Sequence, residues 1–164
     1  LEQSAKISAD KLKFFRLAFG AAGGFGEYVA VEEPRALIDA LAGNNGRITV
    51  NWSLGAPMLP KGAVKLLLNL AHIGIDALVR GGTLDIGAES REGASEIVVR
   101  AAGPRIAFDP NIGKALDGTL PPVELSSRTA PAWMLHLLAQ RQGGGLQYAL
   151  TPEALVMGAV LPEG

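Results

Sequence analysis

The sequence predicts a two-layer α/β sandwich, with helices gathered on one face of a mixed, largely antiparallel sheet. Three observations predict it. Segments of period 3.6 and period 2 run in the order helix, strand, helix, strand, strand, irregular loop, helix, strand, strand. Two pairs of consecutive strands are joined by short polar turns, which makes them antiparallel neighbours. With 164 residues, 48% of them apolar and 19% charged, the chain can bury one sizeable core.

Residues 1–20 read as a helix. Leu12, Phe15 and Phe19 form one stripe, while Ile7, Phe14, Leu17 and Ala18 carry the apolar surface round to other sides. Such a helix is expected to pack against other helices. The stretch at 21–27, rich in Gly and Ala, reads as a linker. The sandwich itself is expected over 28–164. Pro34–Ala42 suits a short helix, with Pro34 in its first turn and Glu32 and Glu33 favourable to its dipole. Arg47–Ser53 alternates Ile48, Val50 and Trp52 as a half-buried strand does. A long helix runs from Pro60 to about Val79 and stops before Gly81-Gly82. Strands at Thr83–Glu89 and Glu96–Ala101 flank the turn Ser90–Gly93. Gly103–Arg128 reads as irregular, with one helical turn at Asn111–Leu116. Pro131–Gln142 is the last helix. Strands Leu146–Leu150 and Ala154–Leu161 meet at Thr151-Pro152-Glu153.

Composition excludes several function classes. The net charge is -1 and the fifteen Lys and Arg are scattered, so no nucleic-acid partner is expected. No membrane association is expected either. The most apolar run, Ala63–Val79, is broken by Lys65, Asn69, His72 and Asp76. Zero cysteines remove disulfides, thiolate metal sites and a Cys nucleophile, and suit a cytoplasmic location. Opening on Leu1, the sequence is expected to be part of a longer chain.

Three sequence boxes resemble those of a histidine-kinase ATP-binding domain, each with its chemistry altered. Leu67-Leu68-Asn69-Leu70 resembles the helical Asn box, but the second Asn, which would hold Mg²⁺, is Ile73. Val99–Ile106 aligns with Val-x-Asp-x-Gly-x-Gly-Ile. Ala101 stands where the adenine-reading Asp would be. Gly103 keeps the first glycine, and Arg105 replaces the second. The turn before the last helix, which should cradle phosphate on backbone N–H groups, reads Thr129-Ala-Pro-Ala-Trp133. It has no glycine, and Pro131 lacks an N–H. No ATP binding, no metal and no cofactor are therefore expected.

The whole chain resembles the ChpT-type histidine phosphotransferases of alphaproteobacteria. The resemblance rests on Lys11-Leu12-x-Phe14-x-Arg16-Leu17-Ala18-Phe19-Gly20, and on Leu59-Pro60-Lys61-x-x-Val64 through Leu70 with Arg80-Gly81-Gly82. It implies a homodimer built on a four-helix bundle, with residues 1–20 the remnant of its second helix and a degenerate ATP-domain-like sandwich beside it. Phosphate would pass from a hybrid histidine kinase's receiver domain to a bundle histidine, then to a response regulator. The acceptor histidine would lie ahead of Leu1. Lys13, Phe15 and Arg16 are candidate partner-docking residues. A protein-binding module that carries no phosphate is the alternative.

The two histidines fit no acceptor motif. His72 pairs in spacing with Asp76 as a surface contact, and His136 lies in the last helix. Trp52 and Trp133 read as core. Lys61 and Lys65, at the start of a helix, sit poorly with its dipole, which suits an anionic partner or, equally, solubility.

Overall fold

The computed structural model describes residues 28–44 and 46–162. The helix and linker expected over 1–27, and Lys13, Phe15 and Arg16 with them, lie outside the described residues. Elements in chain order are β1 (Tyr28–Ala30), α1 (Glu32–Gly43), β2 (Ile48–Leu54), β3 (Met58–Pro60), α2 (Lys61–Ala77), β4 (Gly82–Arg91) and β5 (Ala94–Ala102). Then come α3 (Pro110–Asp117), a 3-10 turn at Pro122–Glu124, α4 (Ala130–Arg141), β6 (Gly145–Leu150) and β7 (Ala154–Pro162).

The main sheet has the order β2-β4-β5-β7-β6. β2 pairs with β4 in parallel, across the α2 connection, and every other pairing in this sheet is antiparallel. One face carries Leu84, Ile86, Ile97, Val99, Ala101, Leu155 and Met157, all buried. The helices cover that face. The other presents Asp85, Glu96, Arg100 and Gln147 to water. This is the expected mixed two-layer sandwich.

The central helix α2 explains most of the core. Leu66, Leu67, Leu68 and Leu70 are all fully buried, so the helix is covered on nearly every side. It approaches the sheet at Gly74, where an added Cβ would fall 2.7 Å from the Leu84 Cδ1 and 3.7 Å from the Ala101 Cβ. α1 is tied to β2 by Trp52, whose indole N–H donates to the Asp39 carboxylate at 2.8 Å under the Arg35 guanidinium. Trp52 is thus a packing residue.

Differences from the sequence reading are local. β1 and β3, three residues each, form an antiparallel pair that the sequence did not announce. Runs that short carry no readable alternation. The turn between β4 and β5 is two residues, not four. Glu92 and Gly93 both take positive φ, 53° and 76°, as a tight hairpin needs, so both strands extend further than the polarity of Ser90 and Arg91 suggests. The single helical turn expected at 111–116 is the eight-residue α3. Asp109 caps it, accepting from the Asn111 N–H at 2.8 Å, and Gly118 closes it in the left-handed conformation. Asp109→Ala should lower stability by about 1 kcal/mol, read from the urea midpoint.

Candidate functional site

The six candidate nucleotide-site residues come from α2, β5, the segment after β5 and α4. Asn69 and Pro131 line a common cleft of about 320 Å³ between α2 and α4. Ile73 is half-buried against the core. Ala101 is fully buried beneath α2, opposite Gly74 and flanked in the sheet by Leu84 and Leu155. Arg105 is exposed and is not among the residues that line the cleft.

Asn69 is 4% exposed, and its amide donates to the Lys65 carbonyl of its own helix at 2.8 Å. Gly103 has a structural reason to be glycine. A Cβ there would sit 2.4 Å from the Gly81 carbonyl oxygen, and the Gly103 N–H already donates to the Glu153 carbonyl at 3.1 Å. Gly82 meets the same crossing from the other side, with φ 138° and a would-be Cβ 2.1 Å from the Ala102 carbonyl. These glycines let two backbones cross at the ends of β4 and β5.

The start of α4 is closed on itself. The N–H groups of Thr129 and Ala130 both donate to the Ser126 carbonyl, at 3.1 and 2.9 Å. Thr129, 3% exposed, accepts the Ser126 N–H on its hydroxyl at 3.0 Å. Pro131 has no N–H. A helix N-terminus binds phosphate through free, convergent N–H groups, and three successive positions here offer none.

The histidines are placed apart. His72, on α2, faces Asp76 at 3.7 Å with its side chain partly exposed, the surface contact its spacing suggests. His136, on α4, lies against the Trp133 ring with centroids 5.5 Å apart. Its other neighbour is Gly118, where an added Cβ would come within 2.4 Å of both Cε1 and Nε2. Among the described residues no group of three His, Asp or Glu side chains is arranged to hold a metal, and no helix is long and apolar enough to cross a membrane.

The cleft has cationic and apolar lining that the box comparison did not point to. Met134, Leu135, Leu137, Leu138 and Arg141 line it from α4, and Lys65 from α2. A spacing of three to four residues from Pro131 through Met134 and Leu138 to Arg141 was readable in the sequence as one helix face.

Comparison with known proteins places these features in a family. The family described as "Histidine phosphotransferase C-terminal domain" matches residues 31–154. The protein phosphotransferase ChpT of Brucella abortus (strain 2308) is 28% identical over 159 residues, 97% of this chain and 76% of that protein. A solved bacterial phosphotransferase superposes with a TM-score of 0.81 at 27% identity, over 96% of this chain and 75% of the other. The Acinetobacter baumannii histidine kinase AdeS gives 0.63 at 12% identity, over 99% of this chain and 80% of the kinase, a likeness of fold.

Proposed function

Because this chain belongs to the histidine phosphotransferase family, matched through its C-terminal domain, we propose that it relays phosphoryl groups between proteins in a two-component phosphorelay and takes none from ATP. An upstream kinase's receiver domain supplies the group, and a response regulator's receiver accepts it. Histidine nitrogen attacks phosphorus, the receiver's aspartyl carboxylate leaves, and the reverse attack by a second aspartate regenerates imidazole. Mg²⁺ bound in the receiver neutralises the transferring group, so the relay protein needs no metal of its own.

The observation that carries the exclusion of ATP is the closed start of α4. Ser126 holds two N–H groups and Pro131 lacks a third, so triphosphate meets no cradle. Ile73 offers no oxygen to Mg²⁺. Neither histidine suits the acceptor role. Nε2 of His136 is turned onto Gly118, and His72 stands beside Asp76, whose charge repels an incoming phosphoryl group. The sequence holds two histidines. We propose that the acceptor is neither of them and is carried on the helix bundle that the family resemblance implies, in a cytoplasmic homodimer. Lys13, Phe15 and Arg16 dock the receivers there.

The test uses the full-length natural protein, a receiver domain labelled on its aspartate, and labelled ATP with Mg²⁺. Label should arrive from the receiver and not from ATP, and His72→Ala and His136→Ala should transfer as the parent does. Label taken from ATP would overturn this reading. Label found on His72 or His136 would overturn the acceptor assignment.

A further inference from the structure

β6 is an outer strand of the main sheet, and its backbone is open along that side. The Thr151 N–H donates to the Ala154 carbonyl at 2.8 Å, which sets the alternation of the β6–β7 ladder. Ala149, Gln147 and Gly145 then exchange ladder bonds with Val156, Gly158 and Val160. The N–H and C=O groups of Leu146, Tyr148 and Leu150 point away from β7. Among the described residues none of these groups has a partner. Such an edge pairs with another strand unless charge, proline or a bulge prevents it. β6 and β7 contain no Asp, Glu, Lys, Arg or His, β6 has no proline, and its register is unbroken from Gly145 to Leu150. On the open face the nearest charges, Glu96 and Arg100, stand on β5, two strands in. The opposite edge is guarded. On β2, Trp52 donates to the Asp39 carboxylate and lies 5.7 Å from the Arg35 guanidinium, so charged groups flank it.

The sequence of β6 narrows the occupant. Laid antiparallel on itself about Tyr148, it sets Leu146 opposite Leu150, Gln147 opposite Ala149, and Tyr148 opposite Tyr148. Leu146, Tyr148 and Leu150 share the helix-side face, and Leu150 is 49% exposed. In this register each open N–H meets an open C=O, and every cross-strand pair is neutral. A two-fold contact must be self-complementary, and this ladder is. We infer that β6 pairs with β6 of a second copy, antiparallel about Tyr148, so that two five-stranded sheets run on as one. An unrelated peptide would use the same backbone groups, but the match of Leu146 with Leu150 selects this chain. A ladder this short falls below the roughly 1,200 Å² of a stable interface, so the association is reversible and grows with concentration. It is distinct from the bundle contact of the proposed function and does not rest on it.

Residues 1–164 hold no cysteine, so single cysteines introduced into the full chain report the register. Gln147→Cys and Ala149→Cys lie at exposed positions of the open face. Across the two-fold, 147 meets 149 in a non-hydrogen-bonded pair with Cα atoms about 4.5 Å apart, within disulfide reach. The diagonals 147–147 and 149–149 span about 7–8 Å. Under mild oxidation the mixed variants should form at least about tenfold more disulfide dimer than either variant alone. Leu150→Lys puts a charge on the edge at a half-exposed position. It should weaken concentration-dependent association in sedimentation by about tenfold or more while leaving the melting temperature in place. Equal disulfide yields from the mixture and the single variants would overturn the inference, as would identical sedimentation of the parent and Leu150→Lys. So would an unrelated extended peptide that binds β6 while the parent shows no association through it, which would make the edge a peptide-docking site.

Discussion

Putting the missing aspartate back, as Ala101→Asp, should strongly destabilise the protein and not repair a nucleotide site. Ala101 is fully buried under α2, with Gly74, Val99 and Leu84 around it. A carboxylate there has no cation or donor side chain among these neighbours. An uncompensated buried charge costs about 3–5 kcal/mol, a large part of a typical domain's stability of about 5–15 kcal/mol. Urea unfolding of Ala101→Asp should show a midpoint displaced by that amount. Ile73→Asn, at a half-buried position, should fold and still give no heat with ATP and Mg²⁺. The Asn69 amide remains on the Lys65 carbonyl and the start of α4 remains closed. A folded Ala101→Asp protein near parental stability, or micromolar ATP binding by Ile73→Asn, would show that the old nucleotide geometry persists.

Gly82→Ala should be the most damaging of the conservative substitutions. Two penalties act together. Its φ of 138° lies where L side chains are rarely found, a conformational cost of about 1–3 kcal/mol. Its Cβ would also sit 2.1 Å from the Ala102 carbonyl oxygen, which is backbone and cannot swing aside. Moving it would open the pairing of Thr83 with Ala102. Gly93→Ala separates the two effects. Its φ is also positive, 76°, but nothing lies within 4 Å, so only about 1–2 kcal/mol is expected. Comparable midpoints for the two variants would show that the crossing at Ala102 relaxes freely.

The parts of this fold that were legible in the sequence are those with enough length to show a period. Ile97, Val99 and Ala101 alternate, and α2 repeats its leucines. The order of elements then constrains the layers. β1 and β3 were not legible, because a three-residue strand is specified by its partner and not by itself. The altered boxes were legible as replacements at Ile73, Ala101, Arg105 and Pro131. What those replacements face was not. That Ala101 has become core, and that Ser126 takes the N–H groups of the last helix, are facts of tertiary packing and turn geometry. Gly103 shows the same gap. As a sequence letter it looks like a relic of a nucleotide loop, while its backbone neighbour Gly81 gives it a present reason.

The strand order carries a consequence for how the protein is made. β7 lies between β5 and β6 and pairs with both, although it follows β5 by some fifty residues. While a ribosome is still short of residue 154, β5 has one open edge and α2 covers an incomplete floor. The nascent chain must keep Ile97, Val99 and the leucines of α2 from other chains until that strand arrives. Folding of the layer therefore waits for residue 154, and the interval before β7 emerges is when aggregation threatens most.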